Sequence, residues 1–258
     1  MESTPDPTNT NTAKNKRSVS ETGHAKNVAN FFDLAAFVNG YGSRYNPSKA
    51  VFKHSNLLLI HGAASQAVKR VVDVKTAYNN AVNARADEFV EVPEYATQLV
   101  NALASSDASK KTIEDAKGFL RKIRGEKASK KKELKEGEPI PVTHSSSQTS
   151  YDQVIQHMEG LASILKNEPS YAPNEDVLRV SAVYDKISKL NDTNNAVSTA
   201  DEAIANARLQ RDNILCNNLD ALTIVAAGVK SYTKSVFKAN SPEFKQISGI
   251  SFRIYKKD

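Results

Sequence analysis

"YNPSKAVF" at 45–52 and "YAPNEDVL" at 171–178 decide how this chain of 258 residues is read. Each is Tyr-x-Pro followed by a side chain that can accept a hydrogen bond, Ser48 in the first and Asn174 in the second, and the two lie 126 residues apart. Asn46, Ser48 and Asn174 are residue types that cap helix N-termini, and proline suits a first helical turn because its missing N–H has no partner to lose there. Each device should therefore open a helix.

The residues after each device support this. Between Pro47 and Pro93 there is no proline and one glycine, Gly62. Val51, Leu58, Ala64, Val68, Val71 or Val72, Val74 or Thr76, Tyr78, Val82, Arg85 and Phe89 recur there at roughly three-to-four spacing, which predicts one long helix, bent or broken near Gly62. After Pro173 the next proline is Pro242. Val177, Val180, Tyr184, Ile187, Leu190, Asn194, Val197, Ile204, Ala207 and Ile214 step in the same way, close to a coiled-coil seam that favours nearly antiparallel packing at about 20°. Asn194 in such a seam is read as setting register.

The rest of the chain repeats this order. Before the first device, Val28, Phe31, Phe32, Leu34, Ala35 and Val38 predict a helix stopped by Gly40 and Gly42. Before the second, Val154, Ile155, Met158, Leu161, Ile164 and Leu165 predict another. "NAVNAR" (80–85) is matched by "AIANAR" (203–208), and "DASKKTIEDAKGF" (107–119) by "ANSPEFKQISGI" (239–250). A period near 125 residues indicates duplication of a whole module and not a short-repeat solenoid. Tyr45, Pro47 and Arg85 then correspond to Tyr171, Pro173 and Arg208.

The expected fold is all-α, with two tandem antiparallel helical-bundle modules built on long helices. Residues 1–23 are polar and read as a disordered tail. Module 1 covers 24–125, a charged and Ser/Pro-rich linker 126–149, and module 2 with a C-terminal tail 150–258. Within that tail, Ile250, Phe252 and Ile254 alternate, as a short strand or as a segment lying across the bundle.

"AYNNAVNAR", "EPSYAPNEDVLRV", "NARLQRDNILC" and "VKSYTKSVFKANSPEFKQISGISF" together resemble a group of bacterial proteins with this two-part helical layout. The resemblance spans nearly all of the chain outside the first residues. It implies the architecture and a bacterial source, and it brings no catalytic residue or ligand.

Composition narrows the function. Charged residues make up 25% and hydrophobic residues 40%, and no apolar run reaches the 18 or so residues of a membrane span. With one cysteine, Cys216, no internal disulfide can form, and without an apolar leader the cytoplasm is expected. His54 and His61 are seven residues apart, about 10 Å along a helix and too far to share a metal. His24, His144 and His157 are scattered, so no metal or cofactor site is expected. "GYGSRY" at 40–45 follows a helix and lacks a third glycine, so it is a helix stop and not a dinucleotide loop. No nucleophile motif appears, and the chain is not expected to be an enzyme.

One stretch is strongly basic. "RKIRGEKASKKKELK" at 121–135 holds eight Lys or Arg against two Glu, a balance of +6 that equals the net charge of the entire chain. Arg121, Lys122, Arg124, Lys127, Lys130, Lys131, Lys132 and Lys135 can contact phosphates without reading sequence. No aromatic residue lies among them to stack bases. Arg85 and Arg208 can each pair with a carboxylate, such as Asp87, Asp201 or Glu202, or hold an anion. The leading expectation is a non-catalytic scaffold that binds a protein partner or a second copy. Weak, sequence-nonspecific nucleic-acid binding through 121–135 is the alternative.

Overall fold

The computed structural model describes residues 22–126 and 149–254. Eight α-helices account for most of them: α1 (Thr22–Gly40), α2 (His54–Val90), α3 (Val92–Ala104), α4 (Lys110–Ile123), α5 (Tyr151–Asn167), α6 (Val180–Asp212), α7 (Leu222–Phe237) and α8 (Pro242–Ser248). The described residues include no strand, so the protein is all-α. The 1–23 tail, apart from its last residues, and most of the 126–149 linker lie outside the described residues.

Local chemistry explains several helix ends. Ser109, Ser150 and Ser241 cap α4, α5 and α8, each accepting the backbone N–H three residues on. Pro93 occupies the first turn of α3 and Pro242 that of α8. Gly42, past the end of α1, has φ 59°, the left-handed conformation that stops a helix.

The Tyr-x-Pro devices do not cap the long helices directly. Each leads into a single 3-10 turn, Ala50–Phe52 or Asp176–Leu178, followed by one extended residue, Lys53 or Arg179. The helices start only afterwards, at His54 and Val180. An extended ψ at Lys53 and Arg179 breaks the i to i−4 ladder, so the two turns cannot merge with the helices behind them. The helix is not broken at Gly62, and α2 is helical through it.

The contacts divide the chain into two compact units, but not along the sequential blocks 24–125 and 150–258. One unit runs to Arg70 and resumes at Leu209, and the other is Val71–Arg208. The division falls inside α2, which gives Leu57 and Ala64 to one core and Phe89 to another, and near the end of α6, whose residues from Leu209 on belong to the first unit. In the first unit, Phe31, Leu34 and Val38 of α1 pack with Leu57 and Ala64 of α2 and with Leu222, Val225 and Val229 of α7. In the second, Phe89 of α2 and Leu99 and Leu103 of α3 pack with Leu120 of α4, Met158 and Leu161 of α5, and Val183 and Leu190 of α6. A smaller cluster in the second unit joins Val71 and Val74 to Ile204 and Ala207. Burial of these side chains at about 25 cal/mol per Å² is the main stabilising term in each core.

Four predicted face residues point to solvent: Phe32, Leu58, Val177 and Tyr184 are all exposed, and in α2 the buried position is Leu57, one residue before Leu58. The Ile250–Ile254 stretch is an extended segment lying on the first unit, with no strand partner.

Candidate functional site

The paired tyrosines do the same job in each unit. Tyr45 donates its hydroxyl to the Phe52 carbonyl at 2.9 Å, and Tyr171 donates to Leu178 at 2.7 Å. Both hydroxyls thus hold the 3-10 turn against the tyrosine loop. Burial and then the neighbouring Tyr232 push the Tyr45 phenol up strongly, and burial with Tyr95 pushes Tyr171 up to about 12. Phenols so spent on backbone carbonyls are not available as acids. Pro47 is buried and Pro173 half-buried beside them.

The richest polar cluster among the described residues lies in the second unit, where α2, α5 and α6 meet. Arg85 donates from Nη1 to Asn194 Oδ1 at 2.9 Å, and its guanidinium carbon sits 4.0 Å above the Tyr151 ring. Asn194 in turn donates to Asp152 Oδ1 at 2.8 Å. One turn further along α2, Glu88 accepts from Lys186 at 2.6 Å and from Lys189 at 2.7 Å. Burial alone would raise the Glu88 carboxyl, but hydrogen bonds from the two lysines outweigh it and hold the group below its usual range. An open groove of about 370 Å³ adjoins the cluster, lined by Asp152, Gln153, Ile155, Gln156, Glu159 and Asn191.

Arg85 therefore meets an amide and an aromatic face, and not the carboxylates expected for it. Asp87, Asp201 and Glu202 are exposed, on the solvent side of their helices. The Nε atoms of Arg85 and of Arg208 are buried without a hydrogen-bond partner. Asn194, read from its place in the seam as a register residue, ties α6 to both α2 and α5. The cluster can orient helices and offer acidic and amide groups to a polar ligand. It contains no serine, threonine or cysteine, and among the described residues no group of three His, Cys, Asp or Glu side chains could hold a metal ion.

The basic run is only partly described. Arg121 and Lys122 are exposed, and the Lys122 ammonium lies 5.4 Å from the centre of the Phe119 ring. Arg124 is committed to the protein itself, donating to Thr97 at 2.8 Å and to Glu126 at 3.3 Å. Lys127, Lys130, Lys131, Lys132 and Lys135 lie outside the described residues. His61 packs against Phe32 with ring centres 5.1 Å apart, His157 is buried beside Phe119, and Cys216 is half-buried in a π-helical turn, Asn213–Asn217.

Sequence reasoning missed Asn27, Asn30 and Lys230, which hold the 250–254 segment. Asn27 Nδ2 donates to the Arg253 carbonyl at 2.7 Å while its Oδ1 accepts the Arg253 N–H at 2.9 Å. A signal for it was present: Asn27 precedes Phe31 by four residues and Leu34 by seven, so a polar side chain occupies the apolar stripe of α1.

Comparison with protein families, with curated proteins and with solved structures finds no match to this chain. Among the described residues no helix is long and apolar enough to cross a membrane.

Proposed function

We propose that this is a non-catalytic interaction protein of the bacterial cytoplasm, whose α1–α2 face in the first unit docks a protein partner or a second copy. One observation carries this reading. Phe32, 49% exposed, stacks on His61, and Leu58, 41% exposed, lies one turn before His61 on α2. Apolar side chains gathered on one face, and not scattered singly, mark interaction surfaces.

In the same reading, 24–125 and 150–258 are two copies of one antiparallel helical module. The shared tyrosine bond, the paired 3-10 turns and the Ser109 and Ser241 caps support it. Each copy gives its first helix and the start of its long helix to one unit, and its later helices to the other. An arrangement of this kind suits a scaffold, since neither copy completes a core alone.

A photo-crosslinking residue placed at Leu58 in the full chain tests the docking reading. Capture of one defined polypeptide or of a second copy, lost on Phe32→Asp, is expected. Equal labelling with and without that change overturns it. Nucleic acid is the alternative partner, favoured only by the exposure of Arg121 and Lys122. Tight DNA or RNA binding that falls steeply with salt and disappears when Lys130, Lys131 and Lys132 become Glu would put it first.

A further inference from the structure

The 250–254 segment, "ISFRI", leaves α8 and crosses α1 and α7 in extended form. It is held mostly by its main chain. Asn27 binds both the N–H and the C=O of Arg253, Asn30 donates to the Ser251 carbonyl at 2.6 Å, and Lys230 donates to the carbonyls of Ser248 and Ile250. One side chain anchors it: the Phe252 ring meets Phe31 edge-on with centres 6.5 Å apart and lies 5.6 Å from the Lys230 ammonium. Ser251, Arg253 and Ile254 face solvent.

Two features separate this from ordinary core packing. With the segment in place Asn27 is 1% exposed, and its carboxamide both donates to and accepts from this segment, so whatever covers it must offer both a carbonyl and an N–H or leave a buried amide unsatisfied. Lys230 is half-buried beside the segment, where burial holds its amine below its usual value. These groups read an extended backbone and one aromatic ring, which is the logic of a peptide groove: main-chain bonds for affinity and a pocket for one anchor.

We propose that the α1–α7 groove is a binding site for an extended peptide with an aromatic anchor, occupied in the resting chain by its own 250–254 segment. An incoming segment must displace that strap and then makes the same bonds to Asn27, Asn30 and Lys230. The proposal deepens the interaction reading and rests on it, but it concerns a different surface from the Phe32 face.

The test uses a fluorescent peptide of residues 249–256 and the full-length chain. Phe252→Ala with Arg253→Pro removes the strap's anchor and the N–H given to Asn27, without touching the groove. Anisotropy should show the peptide binding this released chain roughly tenfold or more tightly than wild type, because occupation in cis lowers the competent fraction. Adding Asn27→Leu to the released chain, or replacing phenylalanine by alanine in the peptide, should abolish binding. Equal affinity for the released and wild-type chains, or binding indifferent to Asn27, overturns the proposal. Loss of the helical circular dichroism signal in both Phe252→Ala and Arg253→Pro chains also overturns it, since the segment would then be a fixed part of the core. These outcomes leave crosslinking at Leu58 unaffected, so failure of the groove and failure of the docking face are read separately.

Discussion

The Tyr171 hydroxyl donates to the carbonyl of Leu178, seven residues on, at 2.7 Å. The Tyr45 hydroxyl spans the same interval to Phe52. Because both phenols are largely removed from water, each bond satisfies a carbonyl that water reaches poorly. Tyr45→Phe and Tyr171→Phe should each cost about 1–2 kcal/mol, the net bond plus the stranded acceptor. Urea unfolding of the two single variants and the double variant measures this. A double variant as stable as wild type would mean the loops are held by other contacts.

Glycines separate close approach from mere helix filling. A Cβ on Gly228 would lie 2.4 Å from Phe52 Cζ, and one on Gly160 would lie 2.3 Å from Phe119 Cε1. Gly228→Ala and Gly160→Ala should therefore destabilise by about 1–3 kcal/mol through overpacking. Nothing lies within 4 Å of a Cβ on Gly62, in the middle of α2. Gly62→Ala should stabilise by about 0.5–1 kcal/mol from helix propensity alone. Thermal melts should therefore move down for the first two variants and up for the third.

Arg85 depends on its planar head. Arg85→Lys keeps the charge but loses the flat stack on Tyr151 and the directed bond to Asn194, so a loss of about 1 kcal/mol is expected. A double-mutant cycle with Asn194→Ala should give a coupling of about 0.5 kcal/mol or more. Independent, additive losses would show that the bond to Asn194 contributes little.

His157 makes the fold sensitive to mild acid. Burial first, and the nearby Lys122 ammonium second, hold its imidazole below the usual value. The unfolded chain, with a value near 6.5, then takes up a proton that the folded chain refuses. Stability from this residue is complete above about pH 6.5 and is lost progressively as the pH falls through that value, levelling off below the folded pKa. Melting temperatures of wild type and His157→Leu, compared at about pH 7.5 and 5.5, should converge or cross at the acid end. Parallel acid limbs would remove His157 as the cause.

Spacing of three and four was enough to place α1, α2, α5 and α6, since it needs only the order of apolar and polar residues along one segment. It showed that Leu58 to Phe89 belong to one helix and that Asn194 sits in a seam, although the buried face begins at Leu57 and Leu58 is exposed. It could not show that Leu57 and Phe89 serve different cores, because a stripe identifies a buried face and not what covers it. Pairing of distant segments was equally hidden. Nothing in the order of residues places Arg253 beside Asn27, and Arg85 was matched to carboxylates by charge when its neighbours proved to be an amide and a ring. The device at Tyr45 was recognised but its geometry was not, because one extended residue at Lys53 separates turn from helix.

Synthesis of the chain meets the two units in an unequal order. Val71–Arg208 is continuous, so every helix of that unit has been made before Leu209 appears. The other unit must wait. Phe31, Leu34 and Leu57 emerge early, but the α7 side chains that cover them arrive more than 150 residues later. During that interval an apolar surface stands open to solvent, to chaperones and to other nascent chains, and the long delay makes its closure a late and slow step of folding.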